Sequence, residues 1–321
     1  MKITLRRFSV TKRHALTISR GTSSGSENLL VVVEHEGVTG LGEMAPTSGG
    51  AVAETAESAE ADLDRWRGPL AQLVPWEMQR VDALLDGGAS AAGQPVEGLC
   101  GNAARAALDI ALHDWLGKRA GMPVWQLFGL DLDSIPPTSL TVGINPPERI
   151  REIVPEIVAR TGAKALKVKL GNPAGVEADR ESFAAAQGAA PGPILWRVDA
   201  NGGWTVDAAR LMIAWLATRG VEFVEQPLPR GQEADLPAVH RGSALPIYAD
   251  ESICHASDIP PLAGAIDGVN LKLMKCGGLR EALRIVHTAR ARGLKVMMGC
   301  MSESSLAITA AAHLSPLADA L

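Results

Sequence analysis

The chain has 321 residues, of which 46% are hydrophobic and 21% charged, and its formal net charge is −5. This balance is typical of a globular protein with enough apolar residues for one large or two ordinary domains. Charges of both signs are interspersed, which excludes a strongly basic surface for nucleic acid, so we expect a small-molecule partner.

The N-terminal segment MKITLRRFSVTKRHALTI contains no apolar stretch of signal-peptide length. No later segment approaches the roughly 20 apolar residues of a membrane span, so we expect a cytoplasmic protein without a membrane partner. The four cysteines show neither paired short spacing nor a zinc-binding pattern, which indicates reduced thiols. They are Cys100, Cys254, Cys276 and Cys300.

The first part of the chain, residues 1–125, combines strand-like and helix-like patterns. Alternation in KITLRRFSV, the run NLLVVVEHEG and the turn-bounded VTGLGEMAP predict a small antiparallel sheet, with residues 21–25 as a mobile loop between strands. The segments 52–67, 76–85 and 102–118 are rich in alanine and leucine and predict helices. Strands followed by helices favour an α+β unit.

The second part of the chain, residues 126–321, alternates short apolar runs with amphipathic helices. Three of these helices are predicted at 147–160, 207–219 and 279–292. Strand and helix in regular alternation indicate parallel strands with right-handed crossovers, and seven such units favour a closed β/α barrel over an open sheet. The seven runs are SLTVGI, ALKVKL, ILWRVDA, EFVEQ, PIYADE, GVNLKLM and KVMMGC.

An eighth strand, which a closed barrel requires, is not visible in the sequence. We expect it after the predicted helix near residues 306–313, where the chain continues only to ADAL. The fold prediction is therefore a (β/α)7β-type TIM barrel whose eighth strand is not visible, preceded by an α+β domain.

Three carboxylates end consecutive predicted strands. Asp199, Glu225 and Asp250 are 26 and 25 residues apart, about one strand–helix unit each, so they should converge at the carboxyl end of the barrel. Buried together they would repel one another, and a divalent cation resolves that conflict. A ligand set of oxygens alone favours Mg²⁺ first and Mn²⁺ second. For any one acid alone, a helix cap or a surface ion pair is the simpler interpretation.

Two lysines alternate with aliphatic residues in ALKVKL. Lys167 and Lys169 share one face of the strand and should point into the barrel beside the carboxylates. Two adjacent cations together with a nearby metal disfavour further positive charge, so one lysine should be partly neutral near pH 7 and able to act as a base. Two solvated lysines on an edge strand are the alternative, but the second strand of a barrel has no edge.

A third lysine, Lys272, lies on the sixth strand, half a turn of the barrel from the second strand. Lys169 and Lys272 should therefore face each other, with the metal ligands between them. This geometry suits removal of a proton from the α-carbon of a metal-bound carboxylate, formation of an enediolate, and return of a proton to the other face. Lys275 competes for this role, but strand parity places it on the opposite face, so we favour Lys272.

These motifs resemble those of the muconate-lactonising subgroup of the enolase superfamily, in which lysine bases work with Mg²⁺. The resemblance covers nearly the whole chain and implies a capping domain at 1–125 and a barrel domain at 126–321. It also implies the metal ligands and the lysine pair already named. No histidine ends the seventh strand, which argues against the mandelate-racemase-like branch. The matching segments are KVKL, RVDANGGW, VEQPL, ADES, NLKLMKCGG and AALDIALHDWLGK.

Two longer segments, residues 17–47 and 297–313, are most similar to dipeptide epimerases of the L-Ala-D/L-Glu type. The resemblance implies an isomerase that inverts the α-carbon of the C-terminal residue of a dipeptide or a related N-acyl amino acid, with relatives that form homo-oligomers. It assigns Arg20 to a substrate carboxylate and places Thr141, Lys167 and Cys300 along the substrate pocket. Cys300 is expected to be a small buried wall residue, and 301–303 to cap and pack the following helix rather than to touch substrate.

One departure from this resemblance concerns the substrate ammonium group. Dipeptide epimerases bind it with an Asp-x-Asp motif on the eighth strand, which we expect in tail residues beyond Leu321. Alternatives with the same chemistry are o-succinylbenzoate synthase, N-succinylamino acid racemase and a muconate-type cycloisomerase, and a non-catalytic barrel scaffold is a further one. Side-chain preference should depend on capping loops at 20–26 and 47–50.

Overall fold

The computed structural model describes residues 1–47, 53–86 and 100–321. It contains one antiparallel sheet and one parallel sheet, and buried apolar side chains from both parts of the chain form one continuous core. Residues 48–50 of a predicted capping loop, and residue 52 at the start of a predicted helix, lie outside the described residues. Among the helices described, none combines the length and the apolar composition needed to cross a bilayer.

The antiparallel sheet has three strands in the order β1 (Lys2–Ile18), β2 (Gly21–His35) and β3 (Val38–Met44). The predicted loop at residues 21–25 is wrong, because this segment belongs to β2 and pairs with the far end of β1. Glycine and serine have low strand propensity, but pairing with a long neighbouring strand supplies the backbone hydrogen bonds. Only Ser19 and Arg20 separate the two strands, and they form the tip of the hairpin.

Two helices pack on this sheet, α1 (Ala56–Ala71) and α3 (Asn102–Ala120), and a further helix, α2 (Met78–Leu85), packs against α1. The apolar face predicted for α3 is buried. The glycines of β3 permit a close approach of α3, since a Cβ atom at Gly42 would lie 1.9 Å from the carbonyl oxygen of Ala107. The buried face consists of Ala104, Leu108, Ala111, Leu112 and Trp115.

The parallel sheet has seven strands that follow each other in chain order and curl into a barrel. Its strands are β4 (Ser139–Val142), β5 (Ala165–Lys169), β6 (Leu195–Asp199), β7 (Val221–Glu225), β8 (Ile247–Ala249), β9 (Gly268–Leu271) and β10 (Lys295–Met298). The helices are α4 (Val124–Leu127), α5 (Pro147–Thr161), α6 (Val176–Ala189), α7 (Val206–Ala217), α8 (Leu236–His240), α9 (Ile259–Leu262), α10 (Leu273–Cys276), α11 (Leu279–Ala291) and α12 (Ser305–Ala312).

The last residues of the chain lie between β10 and β4, where an eighth strand belongs. The amide of Met298 donates to the carbonyl of Ala320 at 3.0 Å, and the amide of Ser139 donates to the carbonyl of Leu321 at 2.8 Å. As expected, no eighth strand is assigned among the described residues: the sheet has seven strands, and this short segment fills the remaining place. This segment forms a single bridge with β10, and so short a pairing leaves no alternating pattern in the sequence.

Glu43 on β3 joins the antiparallel sheet to the barrel. Its buried carboxylate accepts hydrogen bonds from the amide of Ser304 at 2.8 Å and from the amide of Ala307 at 3.1 Å, at the N-terminus of α12. It also accepts from Asn28 at 2.7 Å. A carboxylate is favoured there by the unpaired amides and the dipole of the helix.

We expect Glu43→Ala to lower the free energy of unfolding by about 1–3 kcal/mol, because several buried donors would lose their acceptor. Chemical denaturation measures the change. The control is Glu34→Ala on β2, which removes an exposed pair with Lys2 and should cost less than about 1 kcal/mol. Equal losses in the two variants would contradict the proposed junction.

Candidate active site

The three predicted carboxylates converge at the carboxyl end of the barrel. Asp199 and Glu225 end β6 and β7, and Asp250 directly follows β8. None is more than 1% exposed, and one oxygen of each lies within 4.8 Å of the others. The adjacent pairing of the parallel strands brings these residues, far apart in sequence, to one height in the barrel.

Each carboxylate contacts at least one buried lysine. Lys169 Nζ lies 2.5 Å from Asp199 Oδ2, and Lys167 Nζ lies 2.8 Å from Glu225 Oε2. From the other side of the cluster, Lys272 Nζ lies 2.6 Å from Asp250 Oδ2. The predicted amines therefore converge on one carboxylate cluster from β5 and from the end of β9, with β6 to β8 between them.

Lys275 also belongs to this cluster, which corrects the parity argument that placed it on the opposite face. The strand β9 ends at Leu271, and the chain turns at once into α10. A helical turn brings Lys275 back toward Asp250, with its Nζ 2.5 Å from Oδ1. Strand periodicity does not apply beyond the last residue of a strand.

The carboxylates control the protonation of the lysines. Burial acts to lower the pKa of Lys272, but the negative charges of Asp250 and Glu225 outweigh it and raise the pKa above its ordinary value. The pKa of Lys167 is raised in the same way by Glu225 and Asp199. The nearest neighbours of both amines are negative, which favours their protonated form, and a partly neutral lysine beside a bound metal stays a prediction.

The pKa values of the acids also depend on the balance between burial and neighbouring charge. Burial acts to raise the pKa of Asp250, yet Lys272 and Lys275 hold it well below its usual range. For Glu225, burial and the nearby Asp199 charge prevail over Lys167, and its pKa is raised. The cluster thus contains Asp250, which is firmly ionised, and Glu225, whose ionised form a further cation would stabilise.

The donor set fits a hard divalent cation. Three carboxylates from neighbouring strands present oxygen only, which Mg²⁺ and Mn²⁺ prefer. Within the described part of the chain, Asn270 Oδ1 is a further buried oxygen that lacks a hydrogen-bond partner. A cation bound to the carboxylates would share their negative charge, so the lysine pKa values would fall toward the range of a base.

Three polar residues that the sequence analysis did not single out hold the carboxylates in place. Asn270 donates to Glu225 Oε1 at 2.6 Å, and the amide of Asn201 donates to Asp199 Oδ1 at 2.7 Å. Gln226 accepts a hydrogen bond from the amide of Asp250 at 2.8 Å. Strand parity could have revealed Asn270, which lies two residues before Lys272. The positive φ angles of Asn201 and Gln226, 44° and 39°, have no signal in the sequence.

Arg20, at the tip of the β1–β2 hairpin, reaches the barrel mouth. Its Nη2 lies 2.6 Å from Glu251 Oε1, and its Nη1 donates to the carbonyl of Asn201 at 2.7 Å. Ser19 Oγ donates to the same carbonyl at 2.9 Å. Glu251 is 5% exposed, and its Oε2 has no hydrogen-bond partner among residues 1–47, 53–86 and 100–321. The hairpin tip is therefore held beside the carboxylate cluster by Glu251 and the backbone of Asn201.

The other predicted pocket residues lie on neighbouring strands at the barrel mouth. Thr141 on β4 is half-buried and pairs in register with Lys167 on β5. Cys300 follows β10 and is exposed, so the expectation of a buried wall residue is wrong. Ser304, not the predicted 301–303, caps α12, and its hydroxyl accepts from the amide of Leu306.

Comparison with known proteins identifies the family. Residues 2–129 match the family described as "Mandelate racemase / muconate lactonizing enzyme, N-terminal domain", and residues 149–320 match "Enolase C-terminal domain-like". The chain belongs to the enolase superfamily. The resemblance seen in the sequence motifs is thereby confirmed.

Curated relatives of this enolase-superfamily chain are epimerases. A "Hydrophobic dipeptide epimerase" of Roseobacter litoralis is 47% identical over 99% of this chain and 88% of the relative. An "L-Ala-D/L-Glu epimerase" of Bacteroides thetaiotaomicron is 38% identical over 99% of this chain and 78% of the relative.

Solved structures of similar enolase-superfamily proteins share the fold. A dipeptide epimerase from Enterococcus faecalis V583, crystallised with Mg and the dipeptide L-Leu-L-Tyr, has a TM-score of 0.87 and 32% identity, and the match covers 99% of this chain and 87% of that chain. A dipeptide epimerase from Cytophaga hutchinsonii with Mg and D-Ala-L-Val has a TM-score of 0.89 and 29% identity, with coverage of 99% and 85%. The predicted fold class is confirmed.

We expect Glu303, beside the mouth of this enolase-superfamily barrel, to make stability depend on pH. Burial raises its pKa to about 7, above its ordinary value of 4.5. The folded state therefore binds more protons than the unfolded state in this interval, and the free energy of unfolding should fall as the pH rises from about 4.5 to 7. Melting temperatures of the wild type and Glu303→Gln across this range test the effect.

The Glu303→Gln variant should lose this component of the pH dependence and gain stability relative to the wild type at pH 7 and above. Glu148→Gln, which changes an exposed glutamate on α5, is the control and should follow the wild type. Parallel pH profiles for all three proteins would contradict the assignment.

Proposed function

We propose that the chain is a Mg²⁺-dependent dipeptide epimerase that inverts the α-carbon of the C-terminal residue by a two-base 1,1-proton transfer. One observation carries the proposal: Lys169 and Lys272 approach one cluster of three buried carboxylates from opposite ends of the strand set β5 to β9. The epimerase names of the relatives, which match along nearly the whole chain, support the substrate class.

Asp199, Glu225 and Asp250 would hold the metal ion, as their oxygen-only donor set fits Mg²⁺ or Mn²⁺. When bound, the ion would supply positive charge that stabilises the negative charge developing on the substrate carboxylate, which makes the adjacent α-proton more acidic. Asn201 and Asn270 keep the carboxylates oriented through their hydrogen bonds.

Lys169 and Lys272 would move the proton. The lysine that starts as a neutral amine removes the α-proton from one face, and the other lysine, which starts as an ammonium, delivers a proton to the opposite face. Epimerisation in the reverse direction exchanges these roles. Both side chains are buried, which limits competing exchange with bulk water.

Arg20, Thr141, Lys167 and Cys300 would line the substrate pocket. Arg20 belongs to the capping part of the chain, for which we propose the bounds 1–125, with the barrel at 126–321. Its guanidinium is already paired with Glu251, so a substrate carboxylate would share or replace that partner. The expectations of a homo-oligomer and of a cytoplasmic location stay predictions, which sedimentation and cell fractionation would test.

In D₂O with Mg²⁺, we expect the enzyme to incorporate deuterium at the α-carbon of the C-terminal residue of dipeptides such as L-Leu-L-Tyr and L-Ala-L-Glu. Proton NMR follows the loss of the α-proton signal. A library of L,L-dipeptides should contain at least one substrate whose exchange stops when Mg²⁺ is removed with EDTA and returns when Mg²⁺ is restored.

Lys169→Ala and Lys272→Ala should each reduce epimerisation by at least about 100-fold, because general acid–base catalysis contributes about 10²–10⁴-fold. Both variants should still bind Mg²⁺ in calorimetry. Unchanged turnover in both would eliminate the two-base mechanism. If no dipeptide exchanges its α-proton, and the enzyme instead turns over a precursor of o-succinylbenzoate or of muconolactone, the alternative activities are favoured.

Arg20→Met should raise KM for the dipeptide at least tenfold while kcat changes less, since the arginine contacts no proposed proton carrier and would lose only a charge-assisted contact to substrate. Steady-state kinetics on the dipeptide found above provide the measurement. The matched control is Arg149→Met on α5, where an arginine pairs with an exposed glutamate. A KM equal to that of the wild type would remove Arg20 from the substrate site.

A further inference from the structure

Lys275 has the most complete set of hydrogen-bond acceptors of the lysines in the cluster. Its Nζ lies 2.5 Å from Asp250 Oδ1 and also contacts the carbonyl oxygen of Asp250. Two further carbonyl oxygens complete the shell, that of Asn270 at 3.1 Å and that of Ile253 at 3.2 Å. An ammonium group has three N–H donors, and four acceptors surround them, so no donor is left to turn toward a substrate.

The backbone around Lys275 is held from outside the barrel. Its carbonyl oxygen accepts a hydrogen bond at 2.7 Å from Asn102 at the start of α3. The short helix α10 then ends at Gly277, whose φ of 96° favours glycine. Lys275 is 3% exposed. Both its side chain and its main chain are therefore fixed in one arrangement.

Lys272 has a different environment although it contacts the same carboxylate. Its Nζ donates to Asp250 Oδ2 at 2.6 Å, and this is its one side-chain hydrogen bond among the described residues. Each oxygen of Asp250 thus has its own lysine: Lys275 on Oδ1 with three other acceptors, and Lys272 on Oδ2 alone. The first contact is rigid, whereas the second lysine has donors left for other partners.

We propose that Lys275 is a positioning residue that fixes Asp250 through Oδ1, so that Oδ2 is presented to the cluster and to a bound Mg²⁺ ion. Lys275 acts through Asp250 and does not carry a proton to or from the substrate. The inference rests on the proposed Mg²⁺-dependent function, yet it concerns metal binding and is tested without substrate. Groups that orient a metal ligand in this way commonly change metal affinity by 10–100-fold.

The test compares Lys275→Met with Lys272→Met in Mg²⁺ titrations by isothermal calorimetry. Both substitutions remove one positive charge beside Asp250, so the change in electrostatic attraction for the cation is similar in the two variants. Only Lys275→Met releases Oδ1. We expect its dissociation constant for Mg²⁺ to rise at least tenfold, whereas that of Lys272→Met should stay equal to or below the wild-type value.

Epimerisation at high Mg²⁺ separates positioning from proton transfer. Lys275→Met should recover most of its rate when Mg²⁺ saturates the site, and Lys272→Met should not recover at any concentration. An unchanged Mg²⁺ affinity of Lys275→Met, or a rate that saturating Mg²⁺ does not restore, would overturn the inference. A wild type that binds Mg²⁺ but exchanges no dipeptide would refute the proposed function, while the affinity comparison would still decide the role of Lys275.

A second variant covers the case in which Lys275→Met does not fold. Lys275→Gln keeps one donor for Asp250 Oδ1 and loses the charge, and it should bind Mg²⁺ less than tenfold more weakly than the wild type. If neither variant folds while Lys275→Arg folds and binds Mg²⁺ as the wild type does, the residue is needed only for folding and the inference fails. The melting temperature with and without Mg²⁺ reports folding and metal binding together.

Discussion

The structure depends on the mutual compensation of buried charge. Asp199, Glu225 and Asp250 are almost fully excluded from solvent, and without positive partners their repulsion and loss of hydration would oppose folding. Four lysines supply that charge: Lys167, Lys169, Lys272 and Lys275. The same charges gather the amines around the carboxylates, so the proposed cation binding and proton transfer would use the arrangement that folding itself requires.

Contacts from outside the barrel support segments that lie next to the cluster. Glu43 on β3 binds the N-terminus of α12, Arg20 at the hairpin tip pairs with Glu251, and Asn102 at the start of α3 holds the backbone of Lys275. Each contact joins the capping part of the chain to a segment next to the site. The geometry of the carboxylate cluster therefore depends on how the capping part packs on the barrel mouth.

We infer distinct roles for the lysines of the cluster because their numbers of hydrogen-bond partners differ. Lys275 has its donors filled by backbone and carboxylate oxygens, which fixes its position. Lys167, Lys169 and Lys272 contact carboxylates and keep donors for other groups. A rigid positive charge orients a ligand, whereas a less saturated amine is suited to exchange its proton. This difference follows from the number of acceptors around each amine and not from the residue type.

The sequence by itself determined the barrel, its helices and the carboxylate and lysine positions at its mouth, because strand and helix periods are local and parallel strands end at one edge. Only the tertiary structure decided that residues 21–25 belong to the β1–β2 hairpin, that Cys300 is exposed and that Lys275 lies in the cluster. Each of these depends on residues distant in sequence: residues 21–25 pair with the far end of β1, Lys275 contacts Asp250, and the exposure of Cys300 depends on what packs around it. Periodicity along one segment carries no information about such partners, so long-range packing had to supply it.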